Sequence, residues 1–93
     1  MPTLHTPLTV GDLTLPNRII MAPLTRSRAG PTHVPNDMMV AYYSQRATSG
    51  LIMTECTMVD AHGGAFMGEG GIYGPAHVEG WKRVTDAVHA KNG

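Results

Sequence analysis

The side chains able to do chemistry in this 93-residue chain are few, and their spacing is informative mainly at one place. Five histidines stand at 5, 33, 62, 77 and 89, one cysteine at 56, and serines at 27, 44 and 49. A zinc hydrolase needs two histidines one helical turn apart with a glutamate between them, as in H-E-x-x-H, and no pair here has that spacing. The glycines of "GGAFMGEGG" suggest a phosphate cradle, but after Gly68 and Gly70 the third position of a G-x-G-x-x-G turn is Tyr73. That stretch also follows a long loop rather than a strand, so it makes a poor dinucleotide turn. No G-x-x-x-x-G-K-[ST] occurs, and nothing places the serines beside a histidine. There remains "IIMAPLTRSRAG", residues 19–30, where a fully apolar stretch runs through Pro23 and Leu24 into Thr25, Arg26 and Arg28. An apolar strand that ends abruptly on a hydroxyl and two cations resembles a strand whose end faces a ligand.

The elements that must position this end follow from pattern. "LTVGDLTL", residues 8–15, alternates apolar and polar around Gly11-Asp12, which predicts a β-hairpin. Residues 18–25 are apolar on both faces, as in a strand buried within a parallel sheet. Gly30, Pro31 and Pro35 mark a loop. A helix is expected over 36–49, with Asn36 as N-cap, Gly50 just past its end, and Met38, Met39, Tyr42 and Ala47 sharing much of one face. A second strand is expected over 51–59, a polar glycine-rich loop over 60–74, and a helix over 75–91 that opens on Pro75. Val78, Trp81, Val84 and Val88 recur on that helix at spacings of three and four, which makes Trp81 a core residue. Tyr42 and Tyr43 are expected to pack the first helix onto the sheet.

Hairpin, strand, helix, strand, helix is an α/β order with a parallel sheet. Two parallel strands make no stable sheet alone. A (β/α)8 TIM barrel typically needs about 250 residues, so the expectation is its N-terminal hairpin and first two βα units, incomplete alone.

Composition narrows the partners. Hydrophobic residues make up 42% and charged residues 15%, low for an isolated small domain, so much of the surface is expected to be covered. Seven basic and seven acidic residues cancel, which argues against nucleic acid or an acidic membrane as partner. The lone Cys56 excludes an internal disulfide framework and suits a reducing compartment, hence a cytoplasmic expectation. "MPTLHTPLTVGD" has neither the basic region nor the apolar core of a signal peptide, and Ile19 to Leu24 is far too short to span a bilayer.

Three blocks, "PLTVGDLTLPNRIIMAPLTRSRA", "YYSQRATSGLIMTECT" and "GIYGPAHVEGWKRVTDAVHAKNG", resemble in order and spacing the N-terminal segment of the Old Yellow Enzyme family. The likeness is to its N-ethylmaleimide reductase and pentaerythritol tetranitrate reductase-like branch. The resemblance implies an FMN-dependent ene-reductase on a (β/α)8 barrel, with NADPH or NADH as hydride donor and a carbonyl- or nitro-activated alkene as substrate. It further implies that the backbone of Ala22, Pro23 and Leu24 lies against the flavin. Thr25 would hydrogen-bond the ring near its O4 and N5 edge and tune its potential. Cys56 falls at a usually small position touching the pyrimidine, and Phe66 where a substrate-lining tyrosine is usual.

Departures bear on substrate preference more than on reaction type. Cys56 is larger than alanine, Phe66 has no hydroxyl to donate, and Gly70 in place of proline should loosen its loop. Arg26 and Arg28 could pair with carboxylates at the barrel rim, a solvated role being the plainer reading. The proton donor and the substrate clamp of the family come after the second helix, so no catalytic residue of that kind lies in this chain. The expected partner is therefore a polypeptide carrying the remaining barrel. The alternatives are a truncated non-catalytic fragment and a small α/β interaction module without flavin.

Overall fold

Two short sheets and two helices make up the computed structural model, which describes residues 2–64 and 67–93. Strands β1 (Leu8–Val10) and β2 (Leu13–Leu15) pair antiparallel, Leu8 opposite Leu15 and Val10 opposite Leu13. The two-residue turn between them puts Gly11 at φ +59°, the first-position conformation that a glycine reaches without strain. Strand β3 (Ile20–Met21) and strand β4 (Leu51–Ile52) pair in parallel, Ile20 beside Leu51 and Met21 beside Ile52. Helix α1 (Asp37–Ser44) connects them, and helix α2 (Pro75–His89) follows.

The strands expected over 18–25 and 51–59 are much shorter, for identifiable reasons. The ladder reaches Met53, whose N–H donates to Met21 O at 3.1 Å. Pro23 has no N–H to continue it, and the Glu55 N–H is turned away to the Tyr43 hydroxyl at 3.0 Å. Ile19 and Ile20 are not buried on both faces: they are 42% and 46% exposed, because β3 has β4 as its only strand neighbour among the described residues. Beyond β4 the chain pairs again at one point, a parallel bridge between Met58 and Gly71. The segment expected as the 60–74 loop thus folds back on the end of the expected strand.

Helix α1 starts where Asn36 Oδ1 accepts from the Met39 N–H at 3.0 Å, an N-cap contact. Asn36 Nδ2 also donates to Arg28 O at 2.6 Å, tying the helix start to the preceding loop. The helix ends at Ser44 rather than at 49. Residues 46–49 instead close turns of i to i−3 type, with Arg46 N–H to Tyr43 O and Ser49 N–H to Arg46 O. Thr48, Ser49 and Gly50 are weak helix formers, and the chain must here pass close under Asn17. A Cβ on Gly50 would stand 2.1 Å from Asn17 O, so only glycine fits.

Helix α2 takes Pro75 in its first turn. It gives way to turns after His89, closing with Asn92 at φ +66° and the Gly93 N–H on Val88 O at 3.0 Å. A left-handed residue with a bond back to the last turn is a standard helix stop.

The core lies between the helices: Ala29, Met39, Tyr43, Trp81 and Val84 are buried together, with the Tyr43 and Trp81 ring centroids 5.9 Å apart. Met38 is 62% exposed and does not join Met39 on the inner face, since successive residues on a helix point about 100° apart. On α2, His77 and Gly80 are buried with Trp81 and Val84, while Val78 is exposed. The inner stripe therefore enters one residue earlier than the valine spacing indicates. No helix among the described residues is long and apolar enough to cross a membrane.

Candidate functional site

The β3–β4 register sets the level of everything beyond it. Ile20 lies beside Leu51 and Met21 beside Ile52, an offset of 31. Pairing stops at the Met53 N–H to Met21 O bond, so Thr25 and Cys56 both lie past the C-terminal ends of the strands. Ala22, Pro23, Leu24 and Cys56 are exposed there and Thr25 is half-buried. Leu24 keeps 52% of its surface open to solvent. Together these residues make an open strip: small at Ala22, flat and apolar at Pro23 and Leu24, with a hydroxyl at Thr25. Phe66 lies outside the described residues.

Behind this strip is a polar group that pattern reading passes over. Glu55, the neighbour of Cys56, is 3% exposed. Its amide donates to Tyr43 Oη, and its carbonyl accepts from Thr57 Oγ1 at 2.8 Å. Its carboxylate oxygens, however, make no hydrogen bond among the described residues. Burial pushes the Glu55 pKa up; the Arg26 backbone, the Tyr43 hydroxyl and the Arg26 charge are near enough to offset part of that rise. Burial likewise raises the Tyr43 pKa to about 12, the neighbouring Glu55 carboxylate adding to the rise. Tyr43 therefore stays a neutral phenol at any physiological pH, able to accept the Glu55 amide. The one signal for Glu55 in the sequence is a carboxylate inside the apolar run "LIMTECTMV".

Gly70 is not in a loose loop. It is buried, its carbonyl accepts from the Met58 N–H at 2.9 Å, and a Cβ there would come 3.2 Å from Trp81 and 3.3 Å from Glu55 Oε1. Next to it, Trp81 Nε1 donates to Gly71 O at 3.0 Å. The loop is thus held onto α2 and against Glu55. Two histidines serve the same segment structurally: His33 Nδ1 meets Glu69 O at 2.6 Å, and His77 Nε2 meets Thr32 O at 3.0 Å.

Three hollows surround this framework. A cavity of about 110 Å³ is lined by Arg26, Arg28, Met38, Met39, Tyr42 and Glu55. An open hollow of about 690 Å³ lies among the loops, bordered by Ser27, His33, Met58, His62 and Met67. A third, of about 380 Å³, runs between the hairpin, β4 and the end of α2 and is largely apolar. Neither Thr25 nor Cys56 lines any of them. The strip lies outside these three hollows.

Residues 3–93 match the model of the NADH:flavin oxidoreductase / NADH oxidase family. The chain is 54% identical over 87 residues to a probable flavin mononucleotide-dependent alkene reductase of Leishmania infantum, covering 94% of this chain and 24% of that protein. It is 50% identical over 93 residues to chanoclavine-I aldehyde reductase of Penicillium roqueforti, covering 98% of this chain and 25% of that one. Among solved structures, morphinone reductase in complex with tetrahydroNAD superposes with a TM-score of 0.94 at 49% identity, over 100% of this chain and 25% of that one. The old yellow enzyme from Trypanosoma cruzi gives 0.92 at 50% identity, over 97% and 24%. The chain spans about a quarter of the length of these relatives.

Proposed function

Since the chain belongs to the NADH:flavin oxidoreductase / NADH oxidase family, we propose that it forms one wall of an FMN site in an NAD(P)H-dependent ene-reductase. The observation that supports this reading is the exposed Ala22–Leu24 stretch running into Thr25 just past the end of β3, with the exposed Cys56 past the end of β4. A planar ring needs such a strip: low side chains, an accessible backbone and one hydroxyl at the edge. The residues present fit it.

Bound there, FMN would supply hydride transfer from NADPH or NADH to an alkene activated by a carbonyl or nitro group. This chain's own part is to hold and tune. Ala22, Pro23 and Leu24 pack against the ring and exclude water from it. Thr25 directs its hydroxyl proton to the ring edge, where a donor stabilises added electron density. Cys56 closes the neighbouring side through its backbone and a short thiol stem, and Phe66 is assigned to the substrate wall. The proton donor and the clamp for the activating oxygen come from elsewhere in the barrel, on a complementing polypeptide. A cytoplasmic setting belongs to this reading, with Cys56 kept as a thiol.

The test is an FMN titration of this chain together with a polypeptide carrying the remaining barrel, followed by the visible flavin bands and by tryptophan quenching. Saturable binding that Thr25→Val weakens, with a shifted flavin potential, supports the reading. Absence of FMN binding to the assembled protein removes it.

A further inference from the structure

Glu55 is 97% buried and lines the 110 Å³ cavity; its carboxylate oxygens make no close hydrogen bond among the described residues, and only the Tyr43 hydroxyl and the backbone and charge of Arg26 partly favour its ionised form. A buried charge without a partner is costly, and folded proteins pair such groups or neutralise them. The cations lining that cavity are Arg26 and Arg28. In this structure the Arg26 guanidinium lies over the Tyr42 ring, 5.6 Å from its centroid, and Arg46 covers the same ring at 4.2 Å. Tyr42 thus already has a cation when Arg26 leaves it. Each residue of the candidate pair also adjoins a member of the strip, Arg26 following Thr25 and Glu55 preceding Cys56.

We propose that Glu55 and Arg26 form an ion pair across this cavity when FMN binds, acting as the positioning pair that fixes residues 22–26 against the ring. The inference rests on the FMN reading above and adds the device that holds the wall. Glu55 is itself anchored, since its amide is bonded to Tyr43 in the helical core. A charge-assisted contact from Arg26 to that fixed carboxylate would transmit the core's rigidity to Thr25. Arg28 lines the same cavity two residues further from Thr25 and serves as the internal control.

The experiment measures the FMN dissociation constant and the visible flavin bands of the assembled protein and four variants: E55Q, R26M, the double variant and R28M. Glu55→Gln keeps shape and removes charge; Arg26→Met keeps the stem and removes the guanidinium. Each of these should weaken FMN about tenfold, and the double variant should be no weaker than either, because the two groups act as one unit. Arg28→Met should stay within about twofold. Multiplying effects in the double variant, unchanged affinity in R26M, or an R28M loss equal to that of R26M would overturn the pairing. Should E55Q fail to fold, R26M and R28M decide alone, since both substitutions are at exposed residues. A wild-type assembly that binds no FMN overturns the FMN reading as well. Normal wild-type binding with unaffected variants overturns only the pairing.

Discussion

The two sides of the β3–β4 pair are built in opposite ways. Toward the helices, Met39, Tyr43, Trp81 and Val84 are closed off, and the rings there find polar partners in the Glu55 amide and the Gly71 carbonyl. Along the strands and beyond their ends, Ile19, Ile20, Leu24 and Met53 are apolar and open. Burying such surface is the main favourable term in folding, and within this chain it is gained on the helix side and not at these residues. The contrast separates residues that hold the framework from apolar residues left open to solvent.

The largest expected effect tests the closed side. Trp81→Ala removes the ring beside Tyr43 and the bond to Gly71 O, and should cost about 3–5 kcal/mol. That is a large share of typical domain stability, so helical circular dichroism should collapse at ordinary temperature. Preserved helicity would mean the core does not depend on that contact.

Alkaline titration reads the same side by another route. The Tyr43 pKa is raised from 10.0 to about 12, so the folded state holds the phenol proton more tightly than the unfolded state does. The stability this brings is fully present below pH 10 and is lost as pH rises through 12. It amounts to on the order of 3 kcal/mol. Urea midpoints of the wild type should fall across that window and those of Tyr43→Phe should fall less; parallel curves would contradict the assignment.

A smaller effect is expected at the join between loop and helix. Asn36→Ala removes the cap on Met39 and the tie to Arg28 O, and should lower stability by about 1 kcal/mol. An unchanged unfolding midpoint would show that the cap is dispensable.

The smallest effect belongs to the open side and sharpens the contrast most. Ile20→Thr should change the unfolding free energy of this 93-residue chain by under about 0.5 kcal/mol, as at other exposed positions. The same substitution should cost more in the assembled barrel, where the residue would be covered. Equal costs in both settings would mean that nothing packs on that face.

Much of the framework was legible from pattern. The Gly11-Asp12 turn between alternating strands, Asn36 as a cap and Trp81 as core all follow from local rules, and the structure has each of them. Strand extent was not legible, because it depends on where each N–H finds its acceptor: Glu55 gives its N–H to a tyrosine twelve residues away. Nor was the firmness of Gly70. Local sequence reads a glycine as loose, whereas here the surroundings of Trp81, Met39 and Glu55 pack it tightly.

What the chain by itself determined is the order of elements, the helix caps, the apolar stretches and the motif blocks that mark the family. These depend on backbone sterics and side-chain periodicity within a few residues. What only the tertiary structure decided is the register of β3 against β4, the burial of Glu55 with its amide on the Tyr43 hydroxyl, and the close pass of Gly50 by Asn17. These are contacts between residues far apart in the chain that no local pattern encodes.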